Sequence, residues 1–143
     1  MLHSAVASGV VLQRLIRARD HLHAELAANH RGPTLEELAQ TSGLSRAHFA
    51  RQFAATFGVA PHQYLVQLRI DHAKRALAGG ASVTEVCYEL GFESLGTFST
   101  TFHRRTGLSP RAWQKRSRPF VQSLGIPMLF VPACFFPMHV EHV

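Results

Sequence analysis

Apolar residues recur every three or four positions along most of the chain. Val11, Leu15, Ala18, Leu22 and Leu26 form one stripe, which predicts an amphipathic helix over about 10–29. Gly32-Pro33 closes that segment. Thr34 stands three residues before Glu37, a capping-box spacing, and starts a short helix that turns Leu35, Leu38 and Ala39 inward. Gly43 breaks it. Ser45 can cap the next helix, whose Phe49, Phe53 and Phe57 point inward until Gly58. A longer helix over 61–77 lines up Val66, Ile70, Ala73 and Leu77, and Gly79-Gly80 ends it.

The pattern then begins again. Ser82 and Glu85 repeat the capping box, Val83, Val86 and Cys87 repeat Leu35, Leu38 and Ala39, and Gly91 repeats Gly43, all at an offset of 48. After one inserted residue the offset is 49. Phe98 then matches Phe49, Phe102 matches Phe53, Gly107 matches Gly58, Pro110 matches Pro61 and Trp113 matches Tyr64. Ser109-Pro110 adds an N-cap and a proline at the first position of a last helix. Two copies of one unit do not make a solenoid, which needs about three or more. Each unit is a short helix, a glycine turn and a second helix, the outline of a helix-turn-helix. The expectation is an all-α domain over 10–116. It comprises a first helix-turn-helix at about 34–57, a linker helix at about 61–77 and a second helix-turn-helix at about 82–106.

Composition narrows the function. The chain has 143 residues, 15 Lys+Arg against 9 Asp+Glu and a net charge of +6, so an anionic partner is expected, nucleic acid before membrane. Residues 117–143 contribute only Arg118 and Glu141, so the basic excess lies in the helical part. Between Ser94 and Arg118 stand Arg104, Arg105, Arg111, Lys115, Arg116 and Arg118 with no acid among them. No secretory signal pattern opens the chain. The longest apolar run, 126–136, contains Pro127 and Pro132 and cannot span a bilayer as a helix. These features point to a cytoplasmic protein with no membrane partner. No glycine-rich phosphate loop, zinc-hydrolase motif or nucleophile elbow appears, so an enzyme is not expected. Two cysteines make no disulfide scaffold, and His139 and His142 lack further ligands, so neither metal nor cofactor is expected.

If the phenylalanines face inward, helical periodicity decides what faces outward. The first unit then presents Ala47, Arg51, Ala54 and Ala55, with His48 at the flank. The second presents Gly96, Thr100, His103 and Arg104, with Thr97 at the flank. Small residues let a helix backbone approach DNA. Arg51 can pair with a guanine edge, and Thr97 or Thr100 can meet a thymine methyl or a phosphate. Arg46 and Arg105 lie off the central line and suit phosphates, and His103 can donate to one.

The residues that carry the most specific signal are Thr34-Leu35-Glu36-Glu37-Leu38-Ala39 and Gly43-Leu44-Ser45-Arg46-Ala47-His48-Phe49-Ala50-Arg51-Gln52-Phe53. The second half adds Gly91-Phe92-Glu93-Ser94, Phe98-Ser99-Thr100-Thr101-Phe102 and Thr106-Gly107-Leu108-Ser109-Pro110-Arg111-Ala112-Trp113. Over about 100 residues this resembles the DNA-binding domain of the AraC/XylS family of bacterial transcription regulators. The resemblance implies seven helices in two subdomains. It also implies sequence-specific binding of double-stranded DNA, with helices 45–57 and 94–106 read into successive major grooves about 34 Å apart. Carried over by position, base contacts fall at Ala47, Ala50 and Arg51, and at Leu95, Gly96, Thr97, Ser99 and Thr100. Arg46, His48, His103, Arg104 and Arg105 remain for the DNA backbone. Contact with RNA polymerase is implied as well. Ala47 and Ala50 offer no hydrogen bonds, which leaves the first half to Arg51. Thr100 stands where the family often has arginine, and His103 where it often has lysine or arginine. No sensor domain of the kind common in the family fits before Arg14 or after Arg118.

The tail, 117–143, is rich in proline and apolar residues, and its four prolines predict an irregular segment rather than a long helix. It either folds back on the domain or offers a self-association or partner surface through 120–137. The second possibility keeps an alternative function open, that of an interaction protein, a truncated homologue acting on another regulator.

Overall fold

The computed structural model describes residues 8–124. Among them are seven α-helices and no strand: α1 Gly9–Asn29, α2 Leu35–Ser42, α3 Arg46–Phe57, α4 Pro61–Ala78, α5 Val83–Glu89, α6 Leu95–Thr106 and α7 Pro110–Leu124. The chain forms two compact units, one ending at Val66 and the other starting at Gln67, both within α4. No helix among the described residues is long and apolar enough to cross a membrane.

In the first unit, α1 buries Leu15, Ala18, Leu22 and Leu26, the stripe read from the sequence. The helix ends on His30, whose φ of 62° is the one positive value at a non-glycine among the described residues and whose N–H bonds to the Leu26 carbonyl. Asn29 then accepts hydrogen bonds from the N–H groups of Arg31 and Gly32 and shapes the turn. Gly32 has a φ of 72°, and a Cβ there would stand 2.8 Å from Leu65 Cδ1, so a side chain would strain the backbone and push Leu65 aside. Leu38 and Ala39 of α2 and Phe49 and Phe53 of α3 complete the core. The rings of Phe49 and Phe53 lie 5.6 Å apart, and Phe57 and Tyr64 close on Phe53 at 4.6 and 5.6 Å. Phe57 is only half-buried, with the Arg19 guanidinium 5.4 Å above its ring.

The second unit repeats this chemistry. Val86 and Cys87 are buried on α5, and Phe98 and Phe102 on α6, where Leu38, Ala39, Phe49 and Phe53 stand in the first. Burial pushes the Cys87 thiol up from its ordinary pKa, which keeps it protonated. The turn glycines Gly43 and Gly91 have φ of 64° and 76°, a region that suits a residue without Cβ. Trp113 packs edge-on against Phe102 at 6.0 Å and donates from Nε1 to the Lys74 carbonyl at 3.2 Å. Gln114 donates to the carbonyls of Leu77 at 3.2 Å and Ala81 at 2.7 Å. Lys74 is 4% exposed. Its stem is covered, and its ammonium sits 3.5 Å from Asp71 and 5.4 Å from the Trp113 ring centre.

One boundary departs from the sequence expectation. α7 does not stop near 116: its backbone stays helical through Pro119 to Leu124, so 117–124 belongs to a helix. A proline there removes one hydrogen bond but leaves the rest of the ladder available. Residues 125–143, with most of the proposed partner surface at 120–137 and both His139 and His142, lie outside the described residues.

Candidate nucleic-acid interface

Each unit contains two helices that begin differently. α2 and α5 open with full capping boxes. Thr34 Oγ1 accepts from the Glu37 N–H at 3.2 Å, while Glu37 Oε2 accepts from the Thr34 N–H at 2.6 Å and its hydroxyl at 2.9 Å. Ser82 and Glu85 do the same at 3.1 and 3.0 Å. Hydrogen bonds from the backbone of Thr34 and of Ser82, then from their side chains, hold both carboxyls below the usual glutamate pKa. These helix starts carry their own negative charge.

α3 and α6 have serine caps and no acid. Ser45 Oγ accepts from His48 N–H at 3.2 Å and Ser94 Oγ from Thr97 N–H at 3.1 Å, and neither first turn holds a carboxylate. His48 and Thr97 stand where α2 and α5 carry glutamate. The positive ends of these two dipoles are therefore left without an anion from their own first turns. An anionic partner meets no carboxylate in the first turn of either helix, although Glu93 stands exposed just before the Ser94 cap of α6.

The inward faces are fixed by Phe49, Phe53, Phe98 and Phe102, each fully buried. Opposite them, Arg46, Ala47 and Arg51 are exposed on α3, with His48 and Ala50 half-buried at the edges. On α6, Leu95, Gly96, Thr97, Thr100, His103 and Arg104 are exposed and Ser99 is half-buried. The outward faces read from periodicity are exposed on each helix except at Ala54, which is half-buried. Positive charge is arranged oppositely along the two. On α3, Arg46 and Arg51 occupy the first half; on α6, Arg104 and Arg105 occupy the last turn.

Arg105, expected at the DNA backbone, is half-buried and donates from Nη1 to Gln67 Oε1 at 3.3 Å. Gln67 in turn donates to Asp71 at 3.1 Å, and Asp71 pairs with Lys74. This chain ties the end of α6 to the second unit's part of α4. Spacing alone placed Arg105 off the outward line but not which way its side chain reaches. A second feature, the hydrogen bond from the Ser94 hydroxyl to Thr97 Oγ1 at 3.0 Å, was equally hidden, because no sequence pattern displays a bond between two hydroxyls.

The helix-turn-helix domain family matches residues 38–116, more than half of the chain. The MmsAB operon regulatory protein of Pseudomonas aeruginosa is 36% identical over 101 residues, 70% of this chain and 31% of that protein. The transcriptional activator RhaR of Klebsiella pneumoniae is 37% identical over 101 residues, 69% of this chain and 36% of its own length. The chain thus spans about a third of the length of these relatives. Among solved structures, the DNA-binding domain of AdpA, determined with a target DNA, superposes with a TM-score of 0.60 at 31% identity. The match covers 79% of this chain and 96% of that one. An AraC-type regulator from Chromobacterium violaceum shares the fold with a TM-score of 0.65 at 22% identity, over 77% of this chain and 96% of its own.

Two helix-turn-helix units of this build define a DNA-binding domain. The chain belongs to the helix-turn-helix family of AraC-like DNA-binding domains.

Proposed function

We propose that the chain binds double-stranded DNA sequence-specifically, as the reading domain of an AraC-like transcription regulator in the bacterial cytoplasm. The observation that carries the reading is the contrast in helix starts. Unlike α2 and α5, the second helix of each unit, α3 or α6, combines an acid-free first turn with an exposed face of small, basic and hydroxyl side chains. In this reading the two helices enter successive major grooves. Arg51 pairs with a guanine edge, and Ala47 and Ala50 let α3 approach. Leu95, Gly96, Thr97, Ser99 and Thr100 face the bases of the second segment. Arg46, His48, His103 and Arg104 hold phosphates. Activation would run through contact with RNA polymerase. The relatives are regulators, and nothing favours the interaction-protein alternative.

Selection from a random DNA pool at two salt concentrations tests the proposal. Enrichment of one asymmetric site in two adjacent segments, with affinity falling steeply with salt, is the expected result. Binding governed by salt alone, with no enriched sequence, would overturn it.

A further inference from the structure

Gly96 has no reason to be glycine that lies within the fold. Gly32, Gly43, Gly58, Gly80, Gly91 and Gly107 all sit at positive φ, where a side chain is strained. Gly96 does not. It is the second residue of α6, exposed, and a Cβ built on it would meet nothing nearer than Ser94 Oγ at 3.9 Å. A helix is more stable with alanine there than with glycine. Gly9 is equally open but stands on α1, outside the helix-turn-helix units.

The neighbouring Thr97 is unusual in what it offers outward. Ser94 Oγ accepts from the Thr97 N–H and donates to Thr97 Oγ1. Threonine in a helix has two favoured χ1 rotamers, and this bond selects one of them. With the hydroxyl held against the cap, tetrahedral geometry turns the Cγ methyl away from the cap. Gly96 and Thr100 follow at i and i+4 on the same side, so a gap in the side-chain layer is bordered by two threonines. At the matching positions of α3 stand Ala47, His48 and Arg51, a set suited to polar edges.

Resting on the reading of α6 as a groove-binding helix, we propose that Gly96, Thr97 and Thr100 form an apolar notch for the C5-methyl group of a thymine. Gly96 supplies the room and Thr97 the methyl contact, so the second half-site is recognised by shape and apolar contact where the first is recognised by an arginine.

The test uses the full chain and its selected site. The position relaxed by Arg51→Ala marks the α3 segment. Each thymine of the other segment is then replaced by deoxyuridine, which keeps every hydrogen-bonding group and loses only the methyl. The wild-type chain should lose about fourfold in affinity at one such position, the worth of one buried methyl group. Gly96→Ala should bind the thymine site more weakly and respond no further to uracil, while its thermal midpoint stays level or rises. Thr97→Val, which keeps the methyl, should retain the uracil response, and Thr97→Ser should lose it. If no replacement weakens wild-type binding, or if Gly96→Ala binds and responds as wild type does, the notch is wrong while sequence-specific binding stands. If no sequence is selected at all, the DNA reading fails and the notch with it.

Discussion

The two helix-turn-helix units share a core and differ in what they show to solvent. Leu38, Ala39, Phe49 and Phe53 in one correspond to Val86, Cys87, Phe98 and Phe102 in the other, all buried. The outward faces diverge: α3 carries arginine in its first half, and α6 carries glycine and threonine there with its cations in the last turn. Packing constrains the inner face tightly because interiors are close-packed, so the repeat persists there. The outer face is free of that packing constraint. The comparison teaches that a duplicated scaffold can keep one core beneath two chemically different outer faces, one carrying arginine and the other glycine and threonine.

The sharpest way to break this comparison is to empty the shared core. Phe53→Ala and Phe102→Ala should each cost about 3–5 kcal/mol, read by urea unfolding. A loss below about 1 kcal/mol from one of them would show that the halves are not equivalently built. Next come the readers. Arg51→Ala should cost about 1–3 kcal/mol at the selected site and relax one base position, whereas Thr100→Ala at the matching position of α6 should cost less. The reverse order would assign the dominant polar contact to α6 and overturn the division of labour.

The capping boxes give a smaller and symmetric effect. Thr34→Ala and Ser82→Ala should each destabilise by about 1 kcal/mol. Both boxes also carry a pH signature. Glu37 and Glu85 have lowered folded-state pKa values, so their contribution is present above the ordinary glutamate value and is lost as pH falls through the lowered one. Chemical unfolding between pH 6 and about pH 3 should show this loss, and Glu37→Gln with Glu85→Gln should flatten it. The smallest difference concerns adjacent arginines. Arg104→Ala should reduce the salt slope of DNA binding by about 1, and Arg105→Ala should leave that slope unchanged because its guanidinium is engaged with Gln67. Equal slopes for the two variants would return Arg105 to the phosphate backbone.

Most of the fold was legible because its signals are local. Capping boxes, turn glycines and phenylalanines at helical spacing each state a boundary or a face within a few residues, and the offset of 48 to 49 supplied a second copy of the same statements. The outward faces followed by elimination. What escaped was long-range or conformational. Arg105 reaches a residue 38 positions earlier in the chain, Trp113 one 39 positions earlier, and no periodicity encodes such a pairing. The run of α7 through Pro119 escaped for the opposite reason: a rule that holds for isolated helices was overridden. The Thr97 rotamer depends on a hydroxyl-to-hydroxyl bond that sequence does not display.

The end of α4 has a bearing on synthesis. Its last carbonyls, at Lys74 and Leu77, and that of Ala81 just beyond, accept hydrogen bonds from Trp113 and Gln114. Their partners are thus made more than thirty residues after the carbonyls themselves, which at about 5–20 residues per second is a delay of a few seconds. The first unit ends at Val66 and has no share in these bonds, while the second cannot make them until α7 is synthesised. Translation thus imposes an order on two halves that the sequence repeat alone would make equals, and the early half is the one that carries Arg51.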